Sequence, residues 1–292
     1  MRIAFLMGTG RCGSTVVHEV LARHPAFGFL SNIEDNLGGL NRLGCWNNLL
    51  YRAPIAIPTR KGGVRFAPSE GYRIIGREVS PIYVNSCRDL VAEDVTPWMR
   101  DRFQRFFSER AVAQRRELFL HKYTGWPRLL FFNEIFPDAR FIHIVRDGRA
   151  VANSWLQMPW WNGYLGPESW LWGPLSATYR SEWEREGRSF VALAGIAWKL
   201  LMDAARAAEP ALPADRYLIL RFEDFTSDPC ASFQLVLDFL DLPMTPQFLK
   251  IVEGYRFSSS RHSAYRRDLS QQQVTILERI LDSHLARYGY GE

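Results

Sequence analysis

A glycine-rich turn near the start of the chain has the residue types that bind an anion. It covers residues 8–15, GTGRCGST, and follows the apolar run of residues 3–7. Between a strand and a helix, such a turn directs backbone N–H groups and the positive end of the helix dipole toward a negative ligand. Arg11 adds a cation, and Ser14 and Thr15 add hydroxyl groups. The segment therefore predicts a site for phosphate or another oxyanion.

The same turn departs from the nucleotide P-loop at a decisive position. The pattern G-x-x-x-x-G-K-[ST] has a lysine after its second glycine, which contacts the β- and γ-phosphates of a nucleoside triphosphate. Ser14 occupies that position here, which argues against hydrolysis of ATP or GTP. A dinucleotide-binding turn stays open, because the glycines also fit G-x-G-x-x-G and Glu34 follows at about the distance of the ribose-binding acid. A tight turn that binds nothing would have the same sequence features.

A second charged turn follows another apolar strand. Residues 141–145 read FIHIV, and Arg146 comes directly after them. Ser154 lies about two turns into the helix that we expect next. Because ligands bind beyond the carboxyl ends of parallel strands, Arg146 and Ser154 could approach one anion at the same edge as the first turn.

The elements that position these turns alternate between strand and helix. The apolar runs predict strands at 2–7, 26–30, 118–121, 141–145 and 217–220, and helices at 14–23, 97–116, 129–136, 148–155, 190–208, 229–240 and 272–285. This alternation predicts an α/β fold: a single domain over residues 1–292, with a P-loop-like, mostly parallel sheet covered by helices on both faces. Residues 36–70 lack a periodic apolar face and are interpreted as an irregular insertion or lid.

Together these segments resemble the sulfotransferases that use 3′-phosphoadenosine 5′-phosphosulfate (PAPS). The family's first signature is R-S-G-[ST]-T after a strand, and residues 11–15 read RCGST, with Cys12 in place of serine. Its second signature, F-P-x-A-[RK]-F-[IL]-x-[IVL]-x-R-[DN]-x-R-[DA]-x-x-x-S, is nearly complete in residues 136–154. Residues 220–225, LRFEDF, resemble R-Y-E-D-L, and residues 260–269 resemble the C-terminal G-x-W-R-x-x-L loop, with Tyr265 in place of tryptophan.

The resemblance implies a donor site, a reaction and an absence of metal. In the family the first signature holds the 5′-phosphosulfate, the second holds the 3′-phosphate, and the C-terminal loop closes over the nucleotide. The residues expected to bind PAPS, or its product 3′-phosphoadenosine 5′-phosphate (PAP), are Gly10, Arg11, Cys12, Gly13, Ser14, Thr15, Arg146, Ser154, Arg261, His262 and Tyr265. The expected reaction is in-line displacement at sulfur by a hydroxyl, with Arg11 on the leaving oxygens.

Two residues compete as the base that removes the hydroxyl proton. Glu34 follows the second predicted strand, where some branches of the family have a base glutamate. His121 ends the third strand, where other members have a catalytic histidine, and Lys122 beside it could assist the leaving group. Histidine suits proton transfer near neutral pH, whereas a glutamate needs its pKa raised by burial. Each residue could equally have a structural role, and Glu34 is slightly preferred.

The acceptor substrate is expected to be a small molecule, lipid or glycan with a hydroxyl group. Residues 155–185 are rich in tryptophan and could form the acceptor side of the site, although core packing is an equally ordinary use of such rings. The rival functions are a kinase-like P-loop protein and a non-catalytic module that binds PAP or another nucleotide. The module would be favoured if neither Glu34 nor His121 faced the anion loop.

The composition of the chain bears on whether it binds nucleic acid, spans a membrane or contains disulfides. The chain has 292 residues, of which 47% are hydrophobic, and 36 Lys and Arg against 31 Asp and Glu give a net charge of +5. That surplus suits an anionic ligand but is too small to indicate a nucleic-acid partner. No apolar run is long enough for a membrane span. The cysteines form no C-x-x-C pair, so we expect a reduced, cytoplasmic protein; they are Cys12, Cys45, Cys87 and Cys230.

Overall fold

Five parallel strands form the sheet that positions the predicted turns. The structure is a computed structural model that describes residues 1–37, 44–53, 66–257 and 261–291. The strands are β1 (Arg2–Met7), β2 (Phe27–Gly28), β3 (Leu118–Lys122), β4 (Arg140–Val145) and β5 (Tyr217–Arg221). Their order is β2-β3-β1-β4-β5, and every neighbouring pair is parallel. The α/β class and the five predicted strands are confirmed.

Helices surround the sheet and start at well-defined caps. Thr96 accepts the backbone N–H of Met99, and Ser270 forms a capping box with Gln273, as is typical of helix N-termini. The helices are α1 (Ser14–Leu21), α2 (Asn32–Leu37), α3 (Gly44–Arg52), α4 (Tyr72–Glu78), α5 (Pro97–Ala113), α6 (Leu129–Ile135), α7 (Gly148–Leu156), α8 (Ala177–Arg185), α9 (Phe190–Ala208), α10 (Phe222–Ser227), α11 (Pro229–Phe239), α12 (Pro246–Gly254), α13 (Tyr265–Asp268) and α14 (Gln271–Arg287).

Both faces of the sheet are buried, as expected for parallel strands. Successive residues of a strand point to opposite faces, so Phe5 and Met7 lie in one apolar cluster with side chains of α4, α5 and α6. Leu6 lies in another cluster, with side chains of α1, α10, α11 and α12. A third cluster joins α7, α9 and α14 at the β4 side of the sheet. The central strands are therefore fixed from both sides, and the turns at their carboxyl ends have a rigid base.

The predicted insertion at residues 36–70 needs a correction. Residues 38–43 and 54–65 lie outside the described residues, but α3 (Gly44–Arg52) forms a helix within this span. Two adjacent asparagines, Asn47 and Asn48, interrupt its apolar residues, which weakened the helical pattern in the sequence. Among the described residues, no helix has the length and apolar character that a bilayer span requires.

Candidate functional site

The loop between β1 and α1 has a backbone conformation suited to an anion. Gly10, Arg11 and Gly13 have positive φ angles of 78°, 57° and 87°. Within the described parts of the chain, the backbone N–H groups of residues 10–14 donate no hydrogen bond to another residue. Consecutive N–H groups in such turns form a concave binding site for negative charge. The loop therefore fits the oxyanion site predicted from the sequence.

Two glycines of this loop are required by close packing. A Cβ atom on Gly13 would lie 2.2 Å from ring carbons of Phe222, and one on Gly8 would lie 2.8 Å from the carbonyl oxygen of Ile144. Gly13 additionally has the left-handed conformation that glycine adopts without a steric penalty. The loop is thus pressed against the ends of β4 and β5, so its N–H groups keep a fixed direction.

Arg146 and Ser154 both contact the first loop. Ser154 Oγ accepts a 2.8 Å hydrogen bond from Arg11 Nε. The terminal nitrogens of Arg146 donate to the carbonyl oxygens of Arg11, at 2.9 Å, and Arg261, at 2.8 Å. The Arg146 guanidinium also lies over the Phe222 ring. The two predicted anion sites therefore form one continuous arrangement at the carboxyl edge of the sheet.

Three guanidinium groups meet here without a carboxylate partner. Neither Arg11, Arg146 nor Arg261 forms an ion pair with another described residue, since Asp147 pairs with Arg149 and Glu223 accepts from Tyr290. Burial lowers the pKa of Arg11, and the positive charges of Arg146 and Arg261 lower it further. Burial also lowers the pKa of Arg146. Like charges held together in this way are stabilised by a bound anion, so these residues fit a phosphate-bearing ligand.

These arginines lie between two cavities. The larger cavity has a volume of about 1180 Å³ and contains the loop residues Gly10, Gly13, Ser14 and Thr15. The smaller one, about 740 Å³, is lined by Ser154 and by residues of α13 and its neighbours. Arg11, Arg146 and Arg261 line both cavities. A single ligand with two anionic groups could therefore extend from one cavity into the other.

A lysine and a glutamate stand beside the loop at the larger cavity. Lys122 Nζ donates to Thr15 Oγ1 at 2.7 Å and pairs with Glu70 Oε1 at 2.5 Å. Lys122 is buried, whereas Glu70 is partly exposed and lines the cavity. The sequence analysis missed Glu70, because it lies just before α4 in a region interpreted as irregular. The sequence gives little indication of a functional role for Glu70, because this residue neither follows a predicted strand nor belongs to a recognised motif.

Glu34 does not line either cavity. It is buried on α2, and its Oε1 accepts a 2.7 Å hydrogen bond from Arg110 Nε. Arg110 also binds Glu78 at 2.8 Å. Burial raises the pKa of Glu34, while the charge of Arg110 acts in the opposite direction. The expectation that Glu34 faces the anion loop is therefore not met; its carboxylate is an ion-pair partner within the core.

His121 is also placed away from the cavities. Its ring is completely buried, and Nε2 lies 3.1 Å from the Tyr83 hydroxyl. Burial, together with the charges of Lys122 and Arg128, lowers the pKa of His121 to about 3. The reason is the two-residue period of β3: Lys122 points toward α1 and the loop, so His121 points toward the opposite face. The expectation that His121 faces the loop is not met either.

The remaining predicted donor-site residues differ in their placement. The Cys12 side chain is buried beside Gly8, so only its backbone faces the loop. His262 contacts Thr226 at 3.3 Å. Tyr265 is buried beside Arg149 and lines neither cavity, which differs from the donor contact expected of it. The neighbouring residues Ala264 and Arg267 line the smaller cavity instead.

Part of the tryptophan-rich segment forms the far wall of the larger cavity. Trp160, Trp170 and Trp172 line it, together with Trp126 from the β3–α6 connection. Trp155 and Trp161 are buried in the apolar cluster of α7, α9 and α14. Trp170 and Trp172 belong to that cluster as well, so these two rings pack in the core and also line the cavity. The larger cavity therefore combines a cationic edge with an aromatic wall, a common arrangement in small-molecule sites.

Comparisons with known proteins give a family and several structures of similar fold. A family model described as "Sulfotransferase family" matches residues 4–246. The search of the curated proteins gave no match. Among solved structures, sulfotransferase STF9 from Mycobacterium avium is 16% identical, with a TM-score of 0.61, covering 100% of this chain and 78% of that one.

Two further solved structures have the same fold over nearly their whole length. The sulfotransferase domain of the Synechococcus PCC 7002 olefin synthase is 17% identical, with a TM-score of 0.51, and covers 96% of this chain and 94% of that one. The sulfotransferase domain of the curacin biosynthetic pathway is 15% identical, with a TM-score of 0.52, covering 99% and 98%. At these identities the similarity shows the fold alone.

Proposed function

Because the chain belongs to the sulfotransferase family, we propose that it transfers the sulfuryl group of PAPS to a hydroxyl group of an acceptor substrate. The observation that supports this most directly is the set Arg11, Arg146 and Arg261, which line both cavities and pair with no carboxylate of the described residues. PAPS has a 3′-phosphate and a 5′-phosphosulfate. Two anionic ends require two neighbouring sites, and guanidinium groups match the geometry of oxyanions.

We assign the donor-binding roles by position. The N–H groups of the first loop, with Ser14 and Thr15, would hold the phosphosulfate end at the larger cavity. Arg146 and Ser154 would hold the 3′-phosphate end at the smaller cavity, where Arg267 adds positive charge. Such contacts position the reacting groups and stabilise charge on the leaving phosphate.

Glu70 is the carboxylate of the larger cavity best placed to act as the base. It is partly exposed, lines the cavity and lies beside Lys122, which contacts the loop through Thr15. In this proposal Glu70 accepts the proton of the acceptor hydroxyl, whose oxygen forms the new bond to sulfur. The bond from sulfur to the phosphate oxygen breaks, and Arg11 and Lys122 stabilise the charge left on that oxygen.

Glu34 and His121 remain alternative bases only if the fold rearranges around the donor. Both are enclosed by other side chains, and the lowered pKa makes His121 a weak base at neutral pH. We expected the non-catalytic module to be favoured if neither residue faced the anion loop, and neither Glu34 nor His121 lines the cavities. Glu70 supplies the missing carboxylate, however, so transfer stays the better proposal. We keep a cytoplasmic location as part of it, on the cysteine pattern alone.

Two separate measurements test the proposal: the binding of PAP and the transfer of the sulfuryl group from PAPS. Calorimetry with PAP should show binding to the wild type and a loss of about 10- to 100-fold in affinity for Arg146→Ala, since a hydrogen bond to a charged group contributes about 1.5–3 kcal/mol. Arg105→Ala, at an exposed position of α5, is the matched control. Unchanged affinity in Arg146→Ala would refute the donor site.

Transfer is then measured with PAPS labelled in its sulfuryl group. A panel of phenols, sterols, sugars and lipids should contain at least one substrate class that becomes labelled. Binding of PAP without transfer to any of them would favour the non-catalytic module. Tight binding of ATP, with phosphate transfer, would favour the kinase-like alternative.

A further inference from the structure

A buried arginine that lines the larger cavity has no role in the transfer proposed above. Arg128 precedes α6, has a positive φ of 46° and is 3% exposed, yet it lines the cavity. Its Nη1 donates to the carbonyl oxygens of Trp126, at 2.8 Å, and Thr124, at 3.3 Å. Its guanidinium lies 4.9 Å from the ring centroid of Tyr83. These contacts fix the direction of the group without neutralising its charge.

Other buried cations of the described chain are nearly all paired. Arg110 binds Glu34, Lys122 binds Glu70, Arg149 binds Asp147 and Lys199 binds Glu182. Of the buried lysines and arginines among the described residues, only Arg146 and Arg128 have no carboxylate partner. Removing an unpaired charge from water is costly, so buried charges are normally paired or bind a ligand. Arg146 lies in the donor site, and Arg128 is the second exception.

A neighbouring carboxylate, Asp89, forms no salt bridge with this guanidinium. Asp89 Oδ1 accepts the backbone N–H of Arg128 at 2.8 Å and makes no salt bridge with its side chain. Burial raises the pKa of Asp89 to about 6, although the charge of Arg128 acts to lower it. The raised pKa means that burial outweighs the attraction between this carboxylate and the guanidinium. Asp89 therefore compensates the charge only partly.

Three hydrogen-bond donors in this part of the cavity wall have no partner among the described residues. Arg128 Nε and the indole nitrogens of Trp126 and Trp172 are buried without a partner among the described residues. No hydrogen bond of Arg128 Nη2 to a described residue is present, so we take it as the nitrogen that faces the cavity. Arginine and tryptophan can only donate. A ligand that complements this region must therefore offer oxygen acceptors, and a negative charge fits best.

We propose that Arg128 binds an anionic group of the acceptor substrate, so that the preferred acceptor is an aromatic or apolar alcohol bearing a carboxylate or a similar oxyanion. The rings of Trp126 and Trp172, which meet edge to face, form the apolar wall beside this subsite. This inference rests on the proposed function, because the ligand is the acceptor of that transfer. It adds a specificity-determining residue to the lining of the larger cavity.

The test uses two fluorescent probes with the same ring skeleton in the presence of saturating PAP. 1-Anilinonaphthalene-8-sulfonate has an anionic group, and N-phenyl-1-naphthylamine has none. The anionic probe should bind the wild type at least tenfold more tightly. Arg128→Met should weaken its binding at least tenfold and leave the neutral probe unchanged, whereas Arg128→Lys should restore part of the affinity. Arg105→Met is the control for a distant arginine.

Equal weakening of both probes in Arg128→Met would show a structural role only and would overturn the proposal, as would unchanged binding of the anionic probe. A second measurement needs no variant: 4-hydroxybenzoate should displace the anionic probe from the wild type, and its methyl ester should not. Equal displacement by acid and ester would also overturn the proposal. Calorimetry with PAP on the same samples reports the donor site separately, so failure of the proposed function is distinguishable from failure of this subsite.

Discussion

Arg11 Nε donates a 2.8 Å hydrogen bond to Ser154 Oγ, and this contact joins segments 143 positions apart in the chain. Ser154→Ala removes the acceptor and leaves the Arg11 side chain free to turn away. We expect the affinity for PAP to fall about tenfold, in line with the loss of one hydrogen bond to a charged group. Calorimetry measures this directly. Ser108→Ala, which removes a hydroxyl from α5, should leave the affinity unchanged.

Removing the carboxylate at Glu70 should affect turnover more than donor binding. Glu70→Gln keeps the shape of the side chain but cannot accept the proton, and general bases typically contribute about 10²- to 10⁴-fold in rate. We expect kcat to fall within that range while the affinity for PAP changes less than threefold. Glu93→Gln, on an exposed turn, is the control. A kcat close to that of the wild type would exclude Glu70 as the base.

Glu34 should prove important for stability. Glu34→Gln leaves the buried Arg110 with only Glu78, and breaking a buried ion pair by removing one partner costs about 3 kcal/mol. We expect the free energy of unfolding in urea to fall by about this amount. Glu109→Gln, at an exposed position of the same helix as Arg110, should change it by less than about 0.5 kcal/mol.

The double variant Glu34→Gln with Arg110→Met separates charge from packing. If the penalty comes from the unpaired guanidinium, the double variant should be more stable than Glu34→Gln alone. Equal stability of the two would mean that the loss arises from packing around position 34.

The buried ring of His121 should make stability depend on pH. Burial lowers its pKa to about 3, from the model-compound value of 6.5. Between these values the unfolded chain binds a proton that the folded chain does not, so this contribution is complete above pH 6.5 and is lost as the pH falls toward 3. From pH 7.5 to 5.0 the loss from this residue is about 2 kcal/mol. Urea unfolding of His121→Gln should show a correspondingly flatter profile, and parallel profiles of wild type and variant would contradict this explanation.

Two glycines of the first loop should respond differently to alanine. Gly10 has a positive φ, but a Cβ there would have no neighbour nearer than 3.8 Å, so Gly10→Ala should cost only the strain of the left-handed conformation, about 1–2 kcal/mol. At Gly13 the same strain is joined by overlap with Phe222. We expect Gly13→Ala to lower the unfolding temperature further and to abolish measurable PAP binding. Similar effects of the two variants would show that the overlap is relieved by movement of the ring.

The sheet and the cationic loop at its edge could be predicted from the sequence because their signals are local. Each strand is a short apolar run; Arg146 directly follows one of them, and Arg11 lies four residues after the end of another. Parallel strands end at one edge, so residues just after them are brought together whatever the details of the helices. The meeting of Arg11, Arg146 and Ser154 followed from that rule.

The candidate base could not be predicted from the strand ends. Which carboxylate or imidazole reaches the cavity depends on the face of the helix or strand from which its side chain projects. His121 and Lys122 are neighbours in β3, and only the packing of α1 against one face places Lys122 at the loop. Glu34 and Glu70 both lie near short elements without a clear period. Contacts with Arg110 and Lys122, which are distant in sequence, decide that one carboxylate is enclosed and the other reaches the cavity.

Arg146 holds the carbonyl oxygens of Arg11 and Arg261, and the second of these lies beyond residues 4–246, the part that matches the family model. The support of the anion loop is thus completed by a segment close to the end of the chain. During synthesis, the strands of the sheet are all present well before this support exists. A nascent chain that stops short of residue 261 would contain the whole sheet and both sequence signatures, and would still lack the clamp that keeps its first loop in place.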